Sequence, residues 1–212
     1  MSIANPQGKN MYTLLETINY VISQVGASPV TDVNDTLPDV ASSKLRIGEA
    51  MVNTLKRGWW FNTDYNQEIE TDANDKIPLG ADVIKVIRAT PYFLTVRGGF
   101  AYDPYNQTDT FPDISSVCVD VVRMLDYENL PPVVQEVVRF AAAREHVMIE
   151  LEDDKKVMLI DQLHRDAFVE MTKDDLQIKQ RNMAYAPKFL RTRSGVRPYR
   201  MGRGVNPYRP GG

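Results

Sequence analysis

Apolar residues at helical spacing open the chain. Leu14, Ile18, Val21, Ile22 and Val25 recur every three or four positions and so share one face of a predicted helix. Thr13-Leu14-Leu15-Glu16 has the capping-box spacing, in which the hydroxyl and the carboxylate each satisfy an orphan amide at the helix start, and Gly26 stops the run. A loop with Pro29 and Pro38 leads to a second stripe, Val40, Ala41, Leu45, Gly48, Met51, Val52 and Leu55, ending at Gly58.

From Trp59 the period shortens. Tyr65 to Thr71, Ala81 to Thr90, Tyr92 to Val96, Phe100 to Tyr102 and Val117 to Leu125 are β-branched or aromatic runs separated by turn residues, which predicts an antiparallel β-module over 62–126. Asp72-Ala73-Asn74-Asp75, Arg97-Gly98-Gly99 and Asp103-Pro104-Tyr105-Asn106 are the expected turns, since glycine and asparagine tolerate positive φ and aspartate bonds its own backbone.

Helical spacing returns after Leu130-Pro131-Pro132, because first-turn amides have no intrahelical partner to lose to proline. Val134, Val137, Val138, Ala141, Met148 and Ile149 face one way. The acidic corner Glu150-Leu151-Glu152-Asp153-Asp154 suits the start of a fourth helix, with Val157, Ile160, Leu163, Ala167, Phe168 and Met171 on its buried side. Beyond Lys173-Asp174-Asp175 the stripe weakens, as in a helix that projects or packs on something external. The fold class is α+β: a four-helix bundle formed from both chain ends (1–61 and 127–184), an inserted antiparallel β-module (62–126) and an extended C-terminal arm (185–212).

Composition narrows the chemistry. The 212 residues are 43% hydrophobic, enough for a sizeable core. No stretch approaches the roughly 20 apolar residues of a membrane helix, and Met1 to Asn10 lacks the apolar segment of a secretory signal, so synthesis in a cytoplasm is expected. The lone Cys118 allows no internal disulfide and is expected as a small core residue in Ser116-Val117-Cys118-Val119. Two histidines are too few for an ordinary zinc pattern, and no phosphate loop or Gly-x-Ser-x-Gly elbow occurs; no metal or cofactor is expected.

Two weaker catalytic patterns have plainer readings. His164, on the apolar side of the fourth helix, and His146 are each expected as satisfied core or interface histidines. Glu68 and Glu70 share one face of a strand, an arrangement compatible with glycan hydrolysis but more simply a solvated face.

Charge is distributed very unevenly. Residues 185–212 hold seven bases and no acid, whereas the first 184 hold 18 bases against 28 acids. An acidic body therefore carries a basic arm. Lys188, Arg191, Arg193, Arg197, Arg200, Arg203 and Arg209 are interspersed with Tyr185, Phe189, Tyr199 and Tyr208 among four prolines and five glycines, a composition that cannot fold alone. Arginine and aromatic anchors suit docking on a protein surface; binding nucleic acid and a solubilising tail are the other readings.

Two strings, Arg57-Gly58-Trp59-Trp60-Phe61-Asn62 and Arg97-Gly98-Gly99-Phe100-Ala101-Tyr102-Asp103, resemble the tail tubular protein A family, the head-to-tail adaptors (gatekeepers) of short-tailed bacteriophages. The similarity continues through Val117 to Tyr127 and the following helix, and the order of elements agrees over roughly 10–180. The resemblance implies a four-helix adaptor bundle in a non-enzymatic virion protein, forming a ring of usually twelve copies between the portal at the capsid vertex and the tail nozzle (tail tubular protein B). Tail fibres are further possible neighbours. Double-stranded genomic DNA would pass through the lumen, and no membrane is involved.

On that reading the arm residues Lys188, Arg191, Arg193, Arg197, Tyr199, Arg200, Arg203, Tyr208 and Arg209 bind the portal or a neighbouring subunit. Arg97, Gly98 and Gly99 form either a plain hairpin tip or a contact loop for nozzle or fibre, and Trp59, Trp60 and Phe61 pack the junction between helical and β lobes. The alternatives are a nucleic-acid-binding protein acting through the arm and a virion-associated glycan hydrolase using Glu68 and Glu70.

Overall fold

The computed structural model describes residues 12–90 and 92–185. Helices α1 (Leu14–Ser23) and α2 (Pro38–Leu55) come first, followed by strands β1 (Thr63–Glu70), β2 (Val83–Thr90), β3 (Thr95–Arg97), β4 (Phe100–Tyr102) and β5 (Ser116–Arg123). A short 3₁₀ turn (Tyr127–Asn129) then leads into α3 (Pro132–Glu150) and α4 (Asp154–Tyr185). The class is α+β, with four helices and a small antiparallel sheet among the described residues.

Local chemistry sets the element ends. The Glu16 N–H donates to Thr13 Oγ1 at 3.2 Å while the Thr13 N–H donates to the Glu16 carboxylate at 2.8 Å, the reciprocal cap expected from the sequence. Proline begins both α2 and α3. The Asp153 carboxylate accepts the N–H groups of Lys155 and Lys156 and so caps α4, after a reversal in which Glu152 takes a positive φ of 50°.

The main sheet has the order β1-β5-β2, with β5 central and antiparallel to both neighbours; β3 and β4 form a separate hairpin. Val117, Val119 and Val121 alternate along β5 into a core completed by Ile77, Leu79, Val83, Leu94, Ala101 and Phe111. Cys118 lies on the opposite face and is only half-buried, contrary to the expectation of a core position. Its partners across the sheet are Glu68 and Thr90, so strand alternation puts it in a polar row. On that face the buried Asp120 accepts the Asn66 N–H at 2.8 Å and pairs with Arg88 at 3.0 Å, which holds the β1 bulge where Asn66 adopts a φ of 55°.

A second core draws on all four helices: Ile18, Val21 and Ile22 from α1, Val40, Ile47 and Leu55 from α2, Val134 and Val138 from α3, and Ile160, Ala167 and Met171 from α4. Residues on either side of the strands in sequence therefore share one apolar interior. Polar ties reinforce it. The Leu14 N–H donates to Glu128, the Tyr12 N–H donates to Gln135, and the hydroxyls of Thr17 and Tyr127 meet at 2.5 Å. Burial pushes the Tyr127 phenol up to about 12, so it remains neutral in that contact.

Several positions depart from the sequence expectation. Leu45 and Val52 on α2, Met148 and Ile149 on α3 and Leu163 on α4 were expected in apolar stripes facing the core, yet they are exposed. The stripes are wider than the arc that neighbouring helices cover, so their margins face solvent. The strand expected over Tyr92 to Val96 is confined to Thr95–Arg97, and Tyr92 and Phe93 are exposed ahead of it.

The chain divides into two compact units, Met1–Asp175 and Leu176–Gly212. Everything above except the end of α4 belongs to the first. In the second, the described residues are the last turns of α4, where Leu176 is exposed.

Candidate docking surfaces

The aromatic string after α2 is built into the first unit. Trp59 is 7% exposed; its indole N–H donates to the Thr54 carbonyl at 2.7 Å, satisfying one of the acceptors that a helix end leaves open, and its ring meets Phe168 edge-on at 5.8 Å. Trp60 and Phe61 pack edge to face at 5.0 Å, and the Trp60 N–H donates to the buried Asp175 carboxylate at 3.1 Å. Asn62, to which the sequence reading assigned no role, is 2% exposed. Its amide nitrogen donates to the carbonyls of Leu55 and Arg123 and its oxygen accepts the Trp59 N–H, so one side chain links the end of α2, the aromatic turn and β5. Gly58 is needed there: its φ is 83° and an added Cβ would lie 2.9 Å from Val122.

Arg97, Gly98 and Gly99 form the tip of the β3–β4 hairpin. Both glycines have positive φ, as a two-residue hairpin loop requires. The Gly99 carbonyl accepts the N–H groups of Leu79 and Gly80, which anchors the base of the turn, while Gly98 borders open space. The Arg97 guanidinium lies 4.8 Å from the Tyr102 ring centre. Phe93 and Tyr105, from the segment before β3 and the turn after β4, make an exposed edge-to-face pair at 5.7 Å.

Two apolar grooves occur where the helical stripes overrun the core. One, of about 530 Å³, lies along α2 between Leu45 and Val52, with Gly48 in its floor and Met124 at its side. A Cβ at Gly48 would meet nothing within 4 Å. A helix-interior glycine costs about 1 kcal/mol relative to alanine, and no contact among the described residues requires it here. The other groove, of about 430 Å³, lies at the α3–α4 corner, lined by Met148, Ile149, Val157 and Met158 with Arg144, Glu145 and Asp161 at its edges.

The titratable candidates show no catalytic arrangement among the described residues. Glu68 and Glu70 are exposed on the polar face of β1, and Glu68 accepts a hydrogen bond from the Ser116 hydroxyl at 2.9 Å. His164 is half-buried beside Phe168 in a cavity of about 200 Å³ between α2, α3 and α4, and burial followed by the Arg144 charge lowers its pKa. His146 is 1% exposed, a core position as expected, and among the described residues neither ring nitrogen has a hydrogen-bond partner. Burial is the main cause holding its pKa below the ordinary value; Glu150 and Asp39 act upward and Arg46 downward.

That shift fixes a sign. A neutral histidine favoured by the fold contributes stability that is complete above its ordinary pKa of about 6.5 and is lost as pH falls from there towards the folded value. Thermal unfolding followed between pH 7 and pH 5 is expected to show a falling Tm, and His146→Leu is expected to flatten the part of the slope due to this residue. An unchanged slope would mean that the imidazole is accommodated in its charged form.

Lys188, Arg191, Arg193, Arg197, Tyr199, Arg200, Arg203, Tyr208 and Arg209 lie outside the described residues. Among the described residues no group of three or more histidine, cysteine or acidic side chains is placed to hold a metal ion, and no helix is long and apolar enough to cross a membrane.

Comparison with known proteins gives two findings. The profile of a family described as tail tubular protein matches residues 15–187. Tail tubular protein A of Klebsiella phage KP34 is 29% identical over 118 residues, which cover 55% of this chain and 62% of that protein. The chain thus spans less than two thirds of that relative.

Proposed function

From the premise that this chain belongs to the tail tubular protein family, structural proteins of the bacteriophage tail, we propose that it is a head-to-tail connector subunit. Twelve copies close into a ring between portal and nozzle, genomic DNA passes through the lumen, and the protein performs no chemical step. The subunit has three parts: a helical bundle made from 1–61 and 127–184, a β-module over 62–126 that faces nozzle and fibres through Arg97, Gly98 and Gly99, and an arm over 185–212. Trp59, Trp60 and Phe61 hold bundle and module together.

The family match over 15–187 carries the reading, and two physical features support it. A ring needs two different faces on each subunit, because contacts closed by rotation are heterologous. The two exposed apolar grooves supply separate surfaces of the right character. An acidic body also repels phosphate, which lets DNA slide past without sticking.

Mass photometry of the purified protein, with and without portal, tests the ring. A species near twelve times the subunit mass is expected on portal. Gly48→Trp is expected to remove it while leaving the thermal transition in place, since position 48 borders open space and the indole fills the α2 groove. A full-sized ring from that variant would show that this groove is not a subunit contact.

The arm is testable separately. Deleting 185–212 is expected to reduce retention on portal-bearing capsids by at least about tenfold, the loss of roughly one interface hot spot or more. Unchanged retention would remove the arm from the docking role.

A further inference from the structure

We infer that the α3–α4 corner groove is the seat for residues 186–212 of a second copy, a contact that rests on the connector reading and gives its arm a specific site. The observation is a conjunction of shape, chemistry and charge. Met148 is 53% exposed, Ile149 49%, Met158 70% and Leu159 62%, so the margins of α3 and the first turns of α4 present a concentrated apolar surface to solvent. Methionine suits an aromatic guest, because its flexible polarizable thioether makes favourable contacts at ring edges. Residues 186–212 contain three such rings, Phe189, Tyr199 and Tyr208.

Charge points to the same occupant. Residues 144–161 hold six acids, Glu145, Glu150, Glu152, Asp153, Asp154 and Asp161, against three bases. Asp161 is already paired, with Arg144 at 2.9 Å and with Arg165, and the Lys156 ammonium donates to the Gln24 carbonyl; Glu145, Glu150, Glu152, Asp153 and Asp154 then stand against Lys155 and Lys156. The corner therefore presents net negative charge around an apolar floor. The segment proposed for it carries one lysine, six arginines and no acid. Arginine forks meet carboxylates at the rim while aromatic rings fill the groove, a division of roles common at protein interfaces.

Length permits the reach, since 27 residues extend to at most about 90 Å. Passing the segment to the next copy makes the contact heterologous: each subunit gives one arm and offers one groove, and closing the ring leaves neither unused.

The test uses full-length protein loaded on portal-bearing capsids as an equal mixture of ¹⁵N-labelled and unlabelled chains, with benzoylphenylalanine in place of Tyr199. Photo-crosslinking followed by mass spectrometry is expected to give mixed-isotope adducts between position 199 and residues 144–161. Met158→Glu, a change at an exposed position, is expected to reduce them by about tenfold at equal loading. Adducts joining chains of one isotope only would mean that the arm folds back on its own copy, and adducts to portal or to other parts of the subunit would place it elsewhere; either result overturns the inference and leaves the connector reading standing. Chains that fail to load, whether or not they carry the photoreactive residue, would remove the connector reading and this site with it.

Discussion

Replacing Trp59 with alanine is expected to destabilise the first compact unit by about 3–5 kcal/mol, the range for truncating a buried large aromatic. Domains of this kind have a total stability of only about 5–15 kcal/mol, so about a fifth of the margin or more is at stake. Three losses combine: the apolar burial of an indole that is 7% exposed, the edge-on contact with Phe168 on α4, and the hydrogen bond that satisfies the Thr54 carbonyl at the end of α2. Urea denaturation read by Trp60 fluorescence measures the change, and Trp59→Phe separates its parts. Phenylalanine restores most of the packing and leaves the carbonyl unmet, so it is expected to cost about 1–2 kcal/mol. A wild-type midpoint for Trp59→Ala would mean that the helical core closes without this side chain.

Asn62→Ala is expected to cost about 3 kcal/mol, a large effect for so small a change. The side chain is an amide with its polar atoms paired in a water-excluded site: the carbonyls of Leu55 and Arg123 each lose a donor, the Leu55 carbonyl keeping only the Gly58 N–H, and the Trp59 N–H loses its acceptor. Each group left unmet in the interior costs about 1–3 kcal/mol, and local rearrangement recovers part of the sum. Asn62→Asp distinguishes hydrogen bonding from volume. The carboxylate still accepts from Trp59 but turns acceptor atoms towards two carbonyls, so the aspartate variant is expected to be at least as unstable as the alanine variant. If aspartate matched the wild-type melting temperature, the amide would not be the link between α2 and β5.

The two variants share a location that matters for the proposed role. Arg57 to Asn62 is one of the two strings on which the family resemblance stood, and in the structure it carries the chain from the helical core into the sheet. In the proposed connector role, load between capsid and tail would pass through this joint. Stiffness there comes from buried hydrogen bonds and aromatic contacts acting in one place, which makes the joint sensitive to single truncations.

Much of the architecture was legible from local pattern. The α1 cap was readable because Thr13 and Glu16 satisfy each other three residues apart, with no help from the rest of the fold. The proline start of α3 was readable for the same reason, whereas Pro38, expected in the preceding loop, begins α2; the Gly98-Gly99 tip was readable because glycine adopts positive φ at no steric cost. The uneven charge was plain from counting alone. Less accessible was the fate of the apolar residues at helix margins. Leu45, Val52, Met148, Ile149 and Leu163 obey helical periodicity as well as the core residues do, and periodicity does not say how wide an arc a neighbour will cover.

Sequence by itself thus determined the element order, the α+β class, the caps and turns and the segregation of basic residues into the last 28 positions, because each depends on neighbours within a few residues or on composition. Tertiary structure decided which positions in the apolar stripes became core and which became exposed grooves, which face of β5 received Cys118, and that Asn62 and His146 would be buried, one hydrogen-bonded through its amide and the other without a partner among the described residues. Those outcomes depend on contacts between residues far apart along the chain, such as Asn62 with Arg123, and periodicity within one segment carries no information about the segment that will pack against it.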